Sequence, residues 1–258
     1  HLQKHYDVLV VGSGVSGLNT ALSIDPKFSV LLICKKDISL SNSSLAQGGI
    51  ASVWDRSCDS PQQHFHDTFV AGGYQNDPNA VAKLVHFGPQ AIHQLIHYGV
   101  DFDKTADGKE HLTLEGGHSH PRILHHKDAT GAELVDKMVC AAKQQKNIEI
   151  LEYTYLCEIS KSGSGFAFDL LQPDGSHQFG TSQFTVFATG GIGRVYEYTT
   201  NSAIATGDGI AFAHAMGAKI QELSWIQFHP TAFAHKDRER FLISESVRGE
   251  GAWLLNCK

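Results

Sequence analysis

The hydrophobic pattern at the start of the chain predicts a strand, a helix and a second strand. An unbroken apolar run follows Asp7 and ends at Val11, as expected for a strand buried on both faces of a parallel sheet. The glycine-rich stretch Gly12-Ser-Gly-Val-Ser-Gly17 comes next, followed by a helical pattern that stops at Asp25-Pro26. The pattern of Ser29–Cys34 predicts the second strand. This order of elements is typical of dinucleotide-binding folds.

Further helices and strands are predicted beyond this unit. Helices are expected from Asp77-Pro78, from Pro89 to near Gly99, and over Thr130–Gln145. Their inward-facing residues are predicted to be Val81, Leu84, Val85, Ile92, Leu95, Ile96, Leu134, Val135, Met138 and Val139. The hydrophobic period then changes to two, which predicts strands over Ile148–Leu151, Thr154–Ser160, Phe166–Leu171 and Gln178–Ala188. The whole pattern predicts an α/β fold.

Composition and charge narrow the class of protein. The 258 residues are 41% hydrophobic and 19% charged, which is enough apolar material for a substantial core. The formal net charge of -6 gives no basic surplus for a phosphate backbone, so nucleic acid is not expected as a partner. No apolar run approaches the ~20 residues of a membrane-spanning helix, so no membrane span is expected. Five scattered cysteines without a C-x-x-C pair are typical of a reducing compartment and predict a cytoplasmic protein.

The first glycine-rich loop is the strongest chemical signal. Gly12 permits a tight turn, Gly14 lets the backbone approach a pyrophosphate, and Gly17 allows close packing of helix on strand. The helix N-terminus that follows attracts negative charge. A glycine-rich turn that binds nothing is the alternative, which the flanking strand and helix disfavour. The acid that binds an NAD ribose about 20 residues later is replaced by Cys34-Lys35-Lys36, which argues against plain NAD binding.

Several other segments carry residues suited to ligand binding, each with an ordinary structural alternative. The small and amide side chains of Ser41–Ile50 either line an elongated polar cofactor or form a surface loop. His118, His120 and His125 lack helical metal-ligand spacing because Pro121 interrupts it, so no metal site is expected. The remaining candidates, each more typical alone of a cap, core or surface position, are Asp208, His229, Ser244, Glu245 and Arg248.

Taken in order, these segments point to a known family. The chain resembles the flavoprotein subunits of succinate dehydrogenases and fumarate reductases over nearly all of its length. The motifs that carry the resemblance are Gly12-x-Gly-x-x-Gly17, Ser44-Leu-Ala-Gln-Gly-Gly49, Ala188-Thr-Gly-Gly191, Thr199-Thr-Asn201, Ala205-Thr-Gly-Asp-Gly209, Gln227-Phe-His-Pro-Thr231 and Arg248-Gly-Glu-Gly251. Within the family, Leu114-Glu-Gly-Gly-His-Ser-His120 is similar to the L-aspartate oxidases, because the dicarboxylate enzymes resemble Phe-Gly-Gly there and lack the acid.

The resemblance implies FAD as the cofactor, with its pyrophosphate on the first glycine loop and its isoalloxazine along Asn42–Gly49. The residues it implies for FAD binding are Gly12, Ser13, Gly14, Val15, Ser16, Lys35, Asn42, Ser43, Ser44, Leu45, Ala46, Gln47, Gly48, Gly49 and Asp208. Relatives that hold FAD covalently use a histidine just upstream of the Ala-Gln-Gly-Gly stretch, where this sequence has Asn42. The resemblance therefore implies non-covalent FAD.

The resemblance also implies a reaction. Hydride would pass from the α-carbon of L-aspartate to the flavin and give iminosuccinate, and dioxygen or fumarate would reoxidise the flavin, as the first step of de novo NAD biosynthesis. The residues implied for substrate are Glu115, which would bind the ammonium group, and His229 and Ser244, which would bind carboxylates. A quinolinate synthase that consumes the product is a candidate partner.

A fold and a division of the chain follow from the same resemblance. The fold class is α/β, with a Rossmann-like FAD-binding domain containing inserted β-strands over residues 1–222 and the start of a capping domain over residues 223–258. The family's proton-transferring arginine lies beyond Lys258, so this stretch is expected to be the inactive amino-terminal portion of a larger enzyme. The alternatives are a fumarate reductase or succinate dehydrogenase flavoprotein, an FAD-binding module without catalysis and, more weakly, an NAD-dependent dehydrogenase.

Overall fold

The computed structural model describes residues 5–235, 238–245, 247, 251–253, 255 and 256, and the chain divides into two compact units. Unit 1 comprises residues 1–45 and 135–242, and unit 2 comprises residues 46–134 and 243–258. The helices are α1 (Val15–Ser23), α2 (Pro61–Ala71), α3 (Pro78–His97), α4 (Thr130–Gln144) and α5 (Asp208–Ala215). The strands are β1 (His5–Val11), β2 (Val30–Ile33), β3 (Ile50–Ala51), β4 (Leu112–Thr113), β5 (Ile123–Leu124), β6 (Ile148–Leu151), β7 (Tyr155–Ser162), β8 (Gly165–Leu171), β9 (His177–Phe187), β10 (Ala232–His235) and β11 (Arg238–Leu242).

Unit 1 is built on a mixed sheet whose strand order is β6-β2-β1-β9-β8-β7. β1 pairs in parallel with β2 and β9, and β2 pairs in parallel with β6. β9, β8 and β7 form an antiparallel meander. All four residues of β2 are buried, as expected for a strand covered on both faces. Val11 lies opposite Phe187, so β1 and β9 end side by side at the edge where such sheets bind ligands.

Most of the predicted elements are confirmed. The predicted strand-helix-strand opening is β1, α1 and β2, and the predicted helix at Thr130 is α4. Its expected inward residues, Leu134, Val135, Met138 and Val139, are all buried. The four strands predicted after it are β6, β7, β8 and β9, with ends shifted by no more than about two residues. The hydrophobic period therefore identified the sheet of unit 1 correctly.

The prediction of two helices separated at Pro89 is wrong, because α3 runs through this proline. Gly88 precedes it and has no Cβ to clash with the proline ring, which lowers the usual cost. A continuous buried stripe holds the two halves together, and its members are Val81, Val85, Ile92 and Leu95. Leu84 and Ile96 were also expected to face inward, but they are 58% and 38% exposed.

Unit 2 contains α2, α3 and a small antiparallel sheet with strand order β3-β5-β4. Helix α2 was not predicted from the sequence, although its start carries a clear signal. The Ser60 side chain accepts a hydrogen bond from the Gln63 N–H, and Pro61 occupies the first helical position. In the part of the chain that the structure describes, no helix is long and apolar enough to cross a membrane.

Candidate functional site

The loop after β1 can be formed only with glycines at two positions. Gly12 has φ of 112°, a conformation that side-chain-bearing residues rarely adopt, and a Cβ there would overlap the Ala188 carbonyl. A Cβ at Gly17 would overlap the carbonyl oxygen of Gly12. Helix α1 thus packs directly on the loop, and the loop packs directly on the end of β9. A side chain at either position would force these segments apart.

A cavity of about 500 Å³ opens at this edge within unit 1. The loop Gly12–Gly14, the end of β2 at Ile33–Lys35 and the segment Ser41–Ser43 line it, together with Phe187–Gly190 after β9. Its volume lies in the range of about 300–1,000 Å³ that is typical of small-molecule and cofactor sites. The cavity thus lies at the carboxyl ends of the parallel strands β1, β2 and β9, where the sequence predicted a ligand site.

The N-terminus of α1 supplies backbone donors, and its N-cap residue, Gly14, has no side chain to accept from them. Gly14 precedes the helix, and the Val15 N–H donates to Ser43 Oγ at 3.0 Å. A Cβ on Gly14 would lie 3.1 Å from the same hydroxyl, so the Ser43 side chain closes over the helix start. Backbone N–H groups and the positive end of the helix dipole make this a suitable place for a phosphate group.

Lys35 at the end of β2 and Asp208 at the start of α5 form an ion pair that lines the same cavity. Lys35 Nζ is 2.8 Å from Asp208 Oδ2 and donates to Thr206 Oγ1 at 2.6 Å. Burial disfavours the Asp208 carboxylate, but the hydrogen bonds from Lys35 and Thr206 hold the pKa of Asp208 below its ordinary value. The Asp208 carboxylate is therefore charged at neutral pH, and it holds the Lys35 side chain beside the cavity.

A second group of candidate residues lies in unit 2 around Glu115. The Glu115 carboxylate is 3.4 Å from the Gly49 backbone nitrogen, and its oxygen lies 3.2 Å from the place that a Cβ on Gly48 would take. A Cβ on Gly116 would lie 3.1 Å from a carboxylate oxygen of Glu245. Gly48 and Gly116 thus make room for two acidic side chains, Glu115 and Glu245.

Ser244 lies in the same unit as Glu115, whereas His229 lies in unit 1. Ser244 Oγ donates to Asp128 at 2.7 Å. The Thr231 N–H donates to His229 Nδ1 at 3.2 Å, so this contact places the proton of a neutral His229 on Nε2. That Nε2–H is a donor of the type that a carboxylate ligand requires.

The loop that carries Glu115 ends at a buried cluster of charges in unit 2. The Arg122 side chain is fully buried, and it forms a two-pronged ion pair with Asp59 at 2.7 and 2.8 Å. A further guanidinium nitrogen donates to Asp67 at 2.6 Å. The same nitrogen lies 3.2 Å from His118 Nδ1, and because arginine only donates, His118 Nδ1 is the acceptor. The cluster joins α2 to the loop at Arg122.

Comparison with known families decides what this architecture binds. Residues 7–258 match the family described as FAD binding domain. The chain belongs to this family of FAD-binding domains. Its cofactor is FAD.

Similar proteins share this fold over nearly the whole chain. An L-aspartate oxidase of Clostridium perfringens is 42% identical over 99% of this chain, and one of Acinetobacter baylyi is 38% identical over 97%. The chain spans 58% and 48% of the lengths of these two relatives. Among solved structures, a quinol fumarate reductase of E. coli superimposes with a TM-score of 0.86 and 28% identity, covering 96% of this chain and 42% of that one.

The residues around the cavity fit FAD. The glycine loop leaves no room for a Cβ, the start of α1 offers N–H groups to a diphosphate, and Lys35 adds a positive charge. Apolar wall is supplied by Phe187 and Phe212, whose rings stack with their centroids 6.2 Å apart. Burial raises the pKa of the Cys34 thiol in this wall to about 11, so the thiol is neutral and suits an uncharged part of the cofactor.

The structure places the residues expected to bind FAD in three situations. Those that line the cavity are Gly12, Ser13, Gly14, Ser16, Lys35, Asn42, Ser43 and Asp208. Three residues belong to unit 1 but do not line the cavity: Val15, Ser44 and Leu45. Of these, Leu45 is 51% exposed. Ala46, Gln47, Gly48 and Gly49 belong to unit 2. Arg248 lies outside the described residues.

Part of the cavity wall and the whole Arg122 cluster were not predicted from the sequence. Thr154 and Tyr155 line the cavity from the segment before and at the start of β7, and no motif marks them. Arg122 is more than 50 residues along the chain from both Asp59 and Asp67, so no local pattern could join it to them.

Metal-capable side chains come together at one place among the described residues, in unit 1. The three residues are Cys157, Asp169 and His177. Asp169 and His177 are hydrogen-bonded to each other at 2.8 Å, which accounts for their proximity without a metal. The part of the chain described here has no such group at His118 and its neighbouring histidines.

We expect the stability of unit 2 to fall as the pH falls below about 6.5. Burial first, and then the charge of Arg122, lower the pKa of His64 and of His118. In the unfolded chain these histidines take up a proton near pH 6.5, whereas the folded state resists protonation, so acid favours unfolding. Chemical denaturation between pH 7.5 and 5.5 measures the slope. His64→Asn should reduce it, and the exposed His66→Asn on the same helix should not; equal slopes for both would contradict this.

Proposed function

We propose that the protein containing this chain oxidises L-aspartate to iminosuccinate with a non-covalent FAD cofactor, using dioxygen or fumarate as electron acceptor. Support comes from the two L-aspartate oxidases described above and from the FAD-binding family. The single observation that carries the substrate assignment is the carboxylate of Glu115, held beside the Gly49 backbone in a glycine-rich loop. An acid at that position suits an amino diacid, because its charge attracts the ammonium group that a plain dicarboxylate lacks.

In this proposal the chain's own residues bind and orient the substrate. FAD, when bound, supplies the hydride-accepting chemistry. Glu115 pairs with the substrate ammonium group, and His229 donates from Nε2 to a carboxylate, because its Nδ1 already accepts from Thr231. The Ser244 hydroxyl already donates to Asp128. It must rotate away from Asp128 before it can donate to substrate. Two carboxylate contacts and one ammonium contact together define an amino diacid.

Other parts of the proposal rest on individual residues. Asn42 Oδ1 accepts from the Ser202 N–H at 2.8 Å, and an amide side chain forms no covalent link to a flavin, which supports non-covalent FAD. Cys34, Cys58, Cys140 and Cys157 are free thiols, which supports a reducing, cytoplasmic location. The product is the substrate class of a quinolinate synthase, our proposed partner. We also propose that residues 1–222 belong to the FAD-binding domain and that residues 223–258 begin a capping domain.

A fumarate reductase or succinate dehydrogenase flavoprotein is the second candidate. The similarity to the quinol fumarate reductase of E. coli supports this candidate. The discriminating residue is Glu115, because a carboxylate attracts the ammonium group that aspartate carries and that succinate and fumarate lack.

Oxygen consumption by the full-length protein tests the proposal. We expect L-aspartate to support oxygen uptake and succinate at the same concentration to support little. D-aspartate is the matched stereochemical control, because it carries the same three charged groups on the opposite hand of the α-carbon. Oxidation of succinate in preference to L-aspartate would favour the second candidate.

A further inference from the structure

The loop of Glu115 is held in place from a distance by the buried charges of unit 2. Its residues 115–119 include two consecutive glycines, and Gly117 has φ of 82°, so the loop has little intrinsic stiffness. Beyond the glycines, Ser119 donates to Asp67 Oδ2 from both its N–H, at 2.9 Å, and its hydroxyl, at 2.8 Å. Asp67 is therefore the point on α2 to which the loop is tied.

We propose that Asp67 and Arg122 are positioning residues that set where the Glu115 carboxylate stands, and that they thereby determine the preference for an amino diacid. This inference rests on the proposed function for its substrate. Neither residue needs to touch substrate, since both act through the loop that carries Glu115.

The hydrogen bonds of Asp67 fix the orientation of its carboxylate. Its Oδ2 accepts both bonds from Ser119 and one from Arg122, while Oδ1 accepts from the Gln63 side chain at 2.8 Å. Burial disfavours the Asp67 carboxylate, but these donors together hold its pKa well below the ordinary value. A fully paired carboxylate on a helix is a rigid anchor for a flexible loop.

Arg122 fixes the other end of the same loop. Its guanidinium is locked by the two-pronged pair with Asp59, so the nitrogen that reaches Asp67 and His118 cannot swing away. His118 stands between the glycines and Ser119, and its ring accepts from that nitrogen. A buried ion pair contributes little net stability compared with well-packed apolar residues. Fixing one loop conformation is a better reason for this costly cluster.

The test is Asp67→Asn in the full-length protein. Asparagine keeps the volume of the side chain but removes the negative charge that pairs with the buried Arg122 guanidinium and leaves one acceptor oxygen in place of two. We expect the KM for L-aspartate to rise at least about tenfold, with kcat for fumarate reduction within about twofold of wild type. Backbone amide exchange at residues 115–122 should rise by a similar factor.

Two further variants separate positioning from general destabilisation. Ser119→Ala should raise the KM for L-aspartate several-fold, and Ser119→Thr, which keeps the hydroxyl donor, should restore it to within about twofold. Val81→Ala opens a cavity in α3 of the same unit and should lower the melting temperature without changing the ratio of the two activities.

The outcomes distinguish this inference from the proposed function. If wild type does not oxidise L-aspartate, the proposed function fails, and the amide exchange of residues 115–122 still decides whether Asp67 holds the loop. If Asp67→Asn does not fold, the Ser119 pair decides. Unchanged exchange and an unchanged KM in Asp67→Asn or Ser119→Ala would overturn the positioning role, as would an equal loss of both activities.

Discussion

Glu115→Gln should reduce the oxidation of L-aspartate by roughly 10- to 150-fold and leave fumarate reduction nearly unchanged. The substitution keeps the shape of the side chain but removes the charge that pairs with the substrate ammonium group. A charge-assisted hydrogen bond is worth about 1.5–3 kcal/mol, which corresponds to this range. Steady-state kinetics with each substrate on the full-length protein gives the ratio directly.

Glu110→Gln is the matched control for this measurement. Glu110 lies in the same unit, and its carboxylate accepts a hydrogen bond from the Trp54 indole at 3.0 Å. Its replacement should affect both activities equally and by little. An equal loss of aspartate oxidation and fumarate reduction in Glu115→Gln would mean that the acid does not recognise the ammonium group.

Gly17→Ala should greatly weaken FAD binding. The added Cβ would overlap the carbonyl oxygen of Gly12, and the backbone of the loop must move to make room. Overpacking of this kind costs about 1–3 kcal/mol, and because relief displaces the loop that receives the diphosphate, affinity should fall by up to roughly 150-fold. Equilibrium titration of the apoprotein with FAD, followed by flavin fluorescence, measures the change.

Gly191→Ala provides the comparison at the same end of the sheet. Gly191 has no atom within 4 Å of its added Cβ and no positive φ, so alanine fits there without displacement. We expect its FAD affinity to remain within about twofold of wild type. Wild-type affinity in Gly17→Ala would contradict the close packing of α1 on the Gly12 loop.

The sheet of unit 1 could be predicted because its signals are local. A buried parallel strand is an unbroken apolar run, and Gly12 to Gly17 mark the turn between strand and helix. The continuity of α3 through Pro89 could not be predicted in the same way. There the burial of residues on both sides of the proline outweighs its local preference to end a helix.

The candidate site likewise contains features with local sequence signals and features that depend on long-range contacts. The glycine loop and Lys35 carry local signals, and the structure places both at the cavity. The ties between Arg122, Asp59 and Asp67 depend on folding that brings distant segments together, so no spacing in the sequence reveals them. The substrate residues Glu115, His229 and Ser244 remain a prediction, because their roles concern a bound ligand.

The visible absorption spectrum of the purified full-length protein, recorded without oxygen before and after addition of L-aspartate, tests the central claim most directly. The account predicts the bands of a bound oxidised flavin, released by denaturation because it is non-covalent, and their bleaching by L-aspartate but not by succinate. A protein that is colourless and takes up no FAD, or a bound flavin that L-aspartate leaves oxidised, would contradict it.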